Sequence, residues 1–487
     1  MHATTITKKL WIVFIVLGWG VTLKAQSMRY IPDPDPVITE RLEEWKDLKF
    51  GLLMHWGPYS QWGVVESWSI CPEDLSWATG AQKSIHGTTY QTYVDAYEKL
   101  SGTFNPLQFN PEAWARAAKA GGMRYVVFTT KHHDGFCMFD TRYSDYKITS
   151  PACPFSTHPK KNIAKELFDA FRQEGLWTGA YFSKPDWHSD YYWWKKFPPA
   201  DRNCNYSISK YPGRWQQFVD YTQHQILELM SDYGPMDILW LDGGWVRIKT
   251  NKEIEKALLE EYEGSRFARN PQSQDIRMDS LVKQVREKQP RILVVDRDVE
   301  GPYQNYLTPE QHIPETGLPY PWETCMTMAS SWSFVPGDRY KPAGELIKKI
   351  VDVVSKGGNF LLNIGPGPDG TLGDTAMQRL EVLGRWLQRN GEAIYSTRMF
   401  DVYGEGDDIR YTRSKSGETV YVFVEGNQPS QIALKKIQCG HRARIHFLGD
   451  EQDLSWESVP GEGIVLNIPD QGRAEDYGMR VLKIEGY

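Results

Sequence analysis

Cysteine is scarce in this chain: six residues in 487, at positions 71, 137, 153, 204, 325 and 439. Cysteines so widely spread form neither a disulfide scaffold nor a zinc-ligand spacing. Mostly free, buried thiols are expected, with room for one bridge. Positive charge is not in excess either. The net charge is −6, and removing residues 1–25, which carry three lysines and no acid, takes it to −9. That leaves no basic footprint for nucleic acid. Long apolar runs are missing as well. The stretch Leu10–Val21 is about a dozen residues, and a bilayer span needs roughly 20. Lys8-Lys9 precede it and Leu23-Lys-Ala-Gln26 follow, the pattern of a secretory signal peptide cut after Ala25. No cysteine follows the run, so there is no lipobox. The chain is therefore expected to be exported, periplasmic or secreted, without stable membrane insertion. No G-x-G-x-x-G loop follows the first strand, and no G-K-[ST], G-x-S-x-G or H-x-H occurs. A dinucleotide cradle, a phosphate loop and a serine-hydrolase elbow thereby lose their usual signatures.

Aromatic residues, in contrast, are abundant: 19 Trp, 26 Tyr and 19 Phe. Many fill a large core. Clusters such as Trp187-His-Ser-Asp-Tyr-Tyr-Trp-Trp194 fall in a loop, where exposed aromatics mark a binding surface. The segment Asp237-Ile-Leu-Trp-Leu-Asp-Gly-Gly-Trp245 reads as a buried strand ending on the carboxylate of Asp242. The C-terminal lip of a parallel strand is where a (β/α)8 barrel keeps its chemistry. Trp240 and Trp245 beside it suit the apolar face of a sugar ring. A turn-forming Asp before Gly-Gly is the plain alternative.

Strand, loop and helix repeat from about residue 48 to 370. The strands are expected at Phe50–His55, Tyr125–Lys131, Trp177–Ser183, Met236–Asp242, Ile292–Arg297, Thr324–Met328 and Phe360–Gly365. Continuous apolar runs of this length suit parallel strands covered on both faces. Helices between them stop at Gly121-Gly122, Gly175, Gly234, Gly357-Gly358 and Gly391. Seven or eight such units predict a (β/α)8 TIM-like barrel over residues 26–397, after a signal peptide at 1–25. From residue 398 to 487 short alternating strands predict an antiparallel β-sandwich. Two long insertions, Lys184–Gly213 and Val246–Asp279, follow strands and belong on the catalytic face.

Polar residues gather at the strand ends: His55, Lys131-His-His-Asp134, Asp242 and Asp296-Arg297, with Glu66, Glu310 and Glu323 in loops nearby. Four polar strand ends in a convergent geometry, with these glutamates beside them, point to a reaction site. His132 and His133 raise the question of a metal. Adjacent strand residues point to opposite faces, so the two imidazoles are not expected to share an ion. No metal or organic cofactor is expected. What remains is a carboxylate pair in an aromatic, His-rich pocket, the apparatus of glycoside hydrolysis.

Five segments carry a resemblance: Phe50-Gly-Leu-Leu-Met-His-Trp-Gly57, Tyr125-Val-Val-Phe-Thr-Thr-Lys-His-His-Asp-Gly-Phe136, Leu239-Trp-Leu-Asp-Gly-Gly-Trp245, Pro321-Trp-Glu-Thr-Cys325 and Asn359-Phe-Leu-Leu-Asn-Ile-Gly-Pro366. Together, and in this order, they resemble glycoside hydrolase family 29, the retaining α-L-fucosidases. The resemblance implies an exo-acting enzyme that removes terminal fucose from oligosaccharides or glycoconjugates. It implies Asp242 as nucleophile and His55, Glu66, His132, His133, Trp240 and Arg297 as residues holding the sugar. Trp68 and the aromatics of Ser331-Trp332-Ser-Phe334 would face its C5 methyl group. Glu310 is the first choice for the acid/base, ahead of Glu323, Glu300 and Glu315. A silent glycan-binding protein on the same scaffold, or a relative acting on α-L-galactosides, stays open at this point. Linkage preference and oligomeric state are not legible.

Overall fold

Seven apolar runs fold as parallel strands: β1 (Phe50–Met54), β2 (Tyr125–Lys131), β3 (Trp177–Ser183), β4 (Ile238–Asp242), β5 (Leu293–Asp296), β6 (Glu323–Thr327) and β7 (Asn359–Ile364). The structure, a computed structural model, describes residues 29–73, 86–87, 89–262, 271–426, 430–450, 452–468 and 477–487. The expected signal segment lies outside them. The strands form one curled sheet of order β5-β4-β3-β2-β1-β7-β6, every neighbouring pair parallel. Burial is nearly continuous along all seven, because side chains cover both faces. Gly51 has a local reason. It pairs with Tyr125, and a Cβ there would collide with the Tyr125 ring.

Helices α1 (Pro36–Leu48), α2 (Tyr90–Glu98), α3 (Pro111–Ala120), α4 (Ile163–Gln173), α5 (Pro212–Asp232), α6 (Asn251–Tyr262), α7 (Met278–Lys288), α8 (Ala343–Ser355) and α9 (Asp374–Asn390) connect or flank the strands. α3 starts where Asn110 Oδ1 accepts the Ala113 N–H at 3.0 Å, with Pro111 at the first helical position, where its missing N–H costs nothing. α4 buries Ile163, Leu167, Phe168 and Phe171, the one-sided stripe of a helix packed on a sheet.

The expected eightfold repeat appears as seven regular strands. β5 and β6 do not pair with each other. The chain between them runs in the gap and bonds to both sides. Asp296 N–H donates to Tyr303 C=O (2.8 Å) and Asn305 N–H to Val294 C=O (2.9 Å). Glu323 N–H donates to Leu307 C=O (2.8 Å) and Gln311 N–H to Cys325 C=O (2.9 Å). Pro309 has no N–H to give, which keeps this segment from forming a regular ladder.

Eight further strands follow: β8 (Thr397–Glu405), β9 (Ile409–Ser414), β10 (Thr419–Glu425), β11 (Gln431–Leu434), β12 (Arg444–Phe447), β13 (Trp456–Val459), β14 (Gly463–Asn467) and β15 (Met479–Glu485). They make two antiparallel sheets, β12-β15-β10-β9-β8 and β11-β14-β13. Val420, Val422 and Ile484 of the first share an apolar core with Ile432, Ile464 and Leu466 of the second. The other face of β10 and β15 puts Tyr421, Phe423 and Val481 into the core that holds Leu383 and Trp386 of α9. Trp386 Nε1–H donates to Met479 C=O at 3.1 Å. All six cysteines are free thiols, five of them buried and Cys439 half-buried. Among the described residues no helix is long and apolar enough to cross a membrane.

Candidate active site

The C-terminal strand ends open on a cavity of about 570 Å³. Asp242 lies on its wall because β4 stops there: Gly243 takes φ +91°, a left-handed turn that a side chain would strain, against Pro185. Three donors reach the Asp242 carboxylate. Tyr181 O–H donates to Oδ2 at 2.7 Å, Gly243 N–H to Oδ1 at 2.8 Å and Arg297 Nη1 to Oδ1 at 3.2 Å. Burial alone would raise its pKa. The charge of Arg297, with the hydrogen bonds, outweighs burial and holds the group well below the usual carboxylate range. Arg297 also binds Glu310 through Nη2. One guanidinium thus bridges the two carboxylates.

His55, His132 and His133 follow directly on β1 and β2 and are buried. His133 Nδ1 lies 2.7 Å from Ser183 Oγ, whose hydroxyl donates to Pro185 C=O at 2.6 Å. His133 therefore carries its proton on Nδ1 and presents a bare Nε2, 3.9 Å from Asp242 Oδ2. His55 behaves alike. Its Nδ1 is 2.7 Å from Asn363 Oδ1, and Asn363 uses its amide to donate to Trp332 C=O at 2.6 Å. Burial pushes His55 down to about 4 and His133 to about 3, and His132 also well below the imidazole range. All three rings are neutral near pH 7. Their bare nitrogens are acceptors for hydroxyl groups.

One expectation fails here for a physical reason. β2 ends at Lys131, so strand alternation does not extend to the histidines. Both rings face the cavity, with centroids 4.2 Å apart. Donor atoms of His132, His133 and Asp242 lie within 4.8 Å of one another, the geometry that the alternation reading excluded. The set remains a poor fit to a cation. Asp242 already accepts three hydrogen bonds, one of them from the Arg297 guanidinium, whose positive charge opposes a cation at the same carboxylate.

Glu66 sits at φ +36° in a short 3-10 turn and clasps the opposite loop. Its Oε1 accepts Ser333 N–H at 2.8 Å, and its own N–H donates to Ser333 Oγ at 3.3 Å. Burial, then the charge of Glu310, pushes its pKa up to about 8. Trp68 meets His133 edge-on at 5.1 Å, and Trp332 lies 5.2 Å from the His55 ring. Trp240 stacks on Tyr181 at 5.2 Å, with the Arg297 guanidinium 5.3 Å from its ring. Of the residues singled out in the sequence, Asp242, Glu310, His55, Glu66, Trp68, His132, His133, Trp240, Arg297 and Trp332 all line this cavity.

Glu323 does not. It opens β6 at the end away from the strand tips, wholly buried, and accepts the Tyr125 hydroxyl at 2.5 Å. Cys325, two residues on and on the same face, is what reaches the cavity. Glu323 is thereby corrected from an acid/base candidate to a residue one layer below the site. Glu300 and Glu315 do not line it either. His188 is held by Glu98 (2.9 Å) and stacks on Tyr146, while Trp187 packs behind Trp68 and His133. Tyr181, Arg202 and Asp298 also line the cavity and were not singled out in the sequence. Tyr181 was one inward-facing position in an ordinary strand. Arg202, bound to Glu73, arrives on a long insertion. Trp245, read in the sequence as suited to a sugar ring, lines the cavity as well.

The buried acids set a pH dependence of stability. Burial also pushes Glu323 up to about 8. The unfolded chain releases these two protons near 4.5, the folded one near 8, so the folded state binds more protons between those values. Stability then falls as pH rises, by roughly 1.4 kcal/mol per pH unit for each group. The three pocket histidines act in the opposite sense below about 6.5, and the buried Lys49 ammonium, which burial pushes down to about 7, does so above 7. The melting temperature should therefore drop most steeply between pH 6.5 and 7. Glu323→Gln should flatten that drop by about half, read by calorimetry across the range. An equally steep drop in the variant would show that Glu323 is ionised when folded.

An ionised carboxylate bridged to a second one, in a pocket walled by indoles and neutral imidazoles, is glycoside-hydrolase apparatus. The fold agrees with that class. Residues 19–392 match the family model described as alpha-L-fucosidase, and the chain belongs to that family. It is 29% identical to the tissue alpha-L-fucosidase of Mus musculus over 91% of either chain. It is 28% identical to the plasma alpha-L-fucosidase of Homo sapiens, covering 91% of this chain and 89% of the human one. Among solved structures it is similar to alpha-L-fucosidase isoenzyme 1 from Paenibacillus thiaminolyticus, with TM-score 0.72, 28% identity, and 92% and 99% of the two chains covered. The Thermotoga maritima alpha-fucosidase in complex with fucose gives TM-score 0.68 at 26% identity, over 93% and 100%.

Proposed function

We propose that this glycoside hydrolase is an exo-acting α-L-fucosidase that releases terminal α-L-fucose from glycans with net retention. The observation that carries the reading is the Asp242 carboxylate, kept ionised by three donors and linked through Arg297 to Glu310. In the first step Asp242 attacks the anomeric carbon as its bond to the leaving oxygen breaks, and Glu310 gives that oxygen a proton. In the second, Glu310 takes a proton from water, which attacks the same carbon and frees Asp242. Arg297 must release Glu310 before either transfer. The bare nitrogens of His55 and His133 accept from sugar hydroxyls, and protonated Glu66 donates to one. Trp68 and Trp332 supply apolar wall for the C5 methyl group. Such a wall is worth about 1–3 kcal/mol against a sugar lacking the methyl contact.

The same reading closes the sheet into an eight-membered barrel, with the 303–311 segment as its irregular member. Residues 26–397 form the catalytic domain and 398–487 a β-sandwich. Export after cleavage at Ala25 gives a periplasmic or secreted enzyme acting on fucosylated oligosaccharides. Proton NMR of the first sugar released from an aryl α-L-fucoside tests the mechanism. The α-anomer should appear first and the β-anomer only by mutarotation. Initial β-anomer would overturn the two-step path. Release of galactose from the aryl α-L-galactoside at an equal rate would overturn the sugar assignment.

A further inference from the structure

A second cavity, of about 480 Å³, lies on the far side of Trp245. It shares Trp245 and Arg202 with the first, so the two cavities adjoin across these side chains. Its wall carries three cationic side chains, Arg202, Arg247 and Lys249, and one acid, Glu253. Two of these four satisfy each other. Glu253 is bound by Arg247 and by Thr250. Arg202 gives Nε and Nη2 to Glu73 and lies over the Trp68 and Trp245 rings, at 4.8 and 5.2 Å, while its Nη1 has no partner among the described residues. The half-buried Lys249 ammonium has none either. Its charged neighbours are Arg247, Glu253 and the buried Asp201, one of whose oxygens is also unpartnered. A sugar leaving the anomeric oxygen passes Trp245, whose ring offers a stacking face, and then meets the Lys249 ammonium and the remaining Nη1 of the Glu73-bound Arg202.

We infer that this cavity is a leaving-group subsite for an acidic sugar, one bearing a carboxylate or a sulfate ester, with Lys249 and Arg202 as its ionic partners. The inference rests on the fucosidase reading and adds a substrate class to it. A neutral glycan would leave both donors facing nothing but water. An anion on the second or third residue would take two charge-assisted hydrogen bonds at once.

The test uses three fucosylated trisaccharides that differ in one residue: neutral, carboxylate-bearing or sulfated. The full-length enzyme should show kcat/KM about tenfold higher for at least one anionic form than for the neutral one, with the preference shrinking at high salt. Lys249→Gln should reduce that ratio by about tenfold, and Lys249→Arg should restore it. The better of the two anionic arms identifies carboxylate or sulfate. Equal rates on all three, or a ratio that Lys249→Gln leaves in place, would overturn the subsite while leaving the fucosidase intact. No turnover of any of the three, nor of an aryl fucoside, would overturn the fucosidase reading and the subsite with it.

Discussion

Asp242→Gly is expected to lower kcat on an aryl α-L-fucoside by roughly 10⁴-fold or more, and added azide should restore part of it by forming β-fucosyl azide. The size follows from what the side chain does. It is the lining carboxylate held most firmly in its ionised form, and removing it leaves no nucleophile below the anomeric carbon. The space it vacates is large enough for azide, and the Arg297 guanidinium that faced the carboxylate offers that anion a charge partner. The fold should survive, because Arg297 keeps Glu310, and Tyr181 keeps its stacking on Trp240 and His132. Asp242→Asn is the companion. It preserves shape and some hydrogen bonding but cannot attack, so it should be nearly as slow. The product separates this role from a merely electrostatic one. An azide adduct of inverted configuration means that Asp242 occupied the face opposite the leaving group. Activity within tenfold of wild type, without an adduct, would end the assignment.

How far the sequence could be read depended on whether side-chain direction followed from strand periodicity. The seven parallel strands were legible within two residues at either end, because most are continuous apolar runs and most of the helices between them stop at glycine. Asp242 was legible because its strand ends visibly at Gly-Gly. The irregular segment between β5 and β6 was not, since Leu307-Thr-Pro-Glu310 has neither a run nor an alternation. It pairs only because β5 and β6 leave a gap for it. The His132-His133 pair was misread for a related reason: the strand rule was applied one residue past the strand. Glu323 failed in depth rather than direction. It does face the inside of the curled sheet, but from the wrong end of β6, and a sequence window gives no measure of depth along a strand. β8, β9 and β13 of the C-terminal sheets leave little pattern to read, because their residues are largely half-exposed and polar. Arg202 belongs to a third kind. It reaches the site from an insertion, on a path set by Glu73 more than a hundred residues away in sequence.

Glu310→Gln should split substrates by leaving group. On a fucosyl disaccharide, whose departing alkoxide is strongly basic, kcat/KM should fall by about 10³-fold. On a nitrophenyl fucoside, whose leaving group needs no proton, the fall should be under about tenfold. Azide should accelerate the variant by replacing the water that Glu310 no longer activates. The comparison matters because two further carboxyls, Glu66 and Asp298, line the same cavity. Glu66 keeps its proton up to about pH 8, as a general acid must. It is, however, wholly buried, with Oε1 committed to Ser333 N–H, whereas Glu310 is two-fifths exposed at the rim, where a leaving group departs. Glu66→Gln removes a donor to the sugar itself, so it should slow both substrates by similar factors. The two variants should also differ in alkaline behaviour. A limb near pH 8 that reflects ionisation of Glu66 should persist in Glu310→Gln and vanish in Glu66→Gln. If leaving-group dependence appears in Glu66→Gln and not in Glu310→Gln, the acid role moves to Glu66, and the Arg297–Glu310 pair becomes a means of holding Arg297 against the nucleophile.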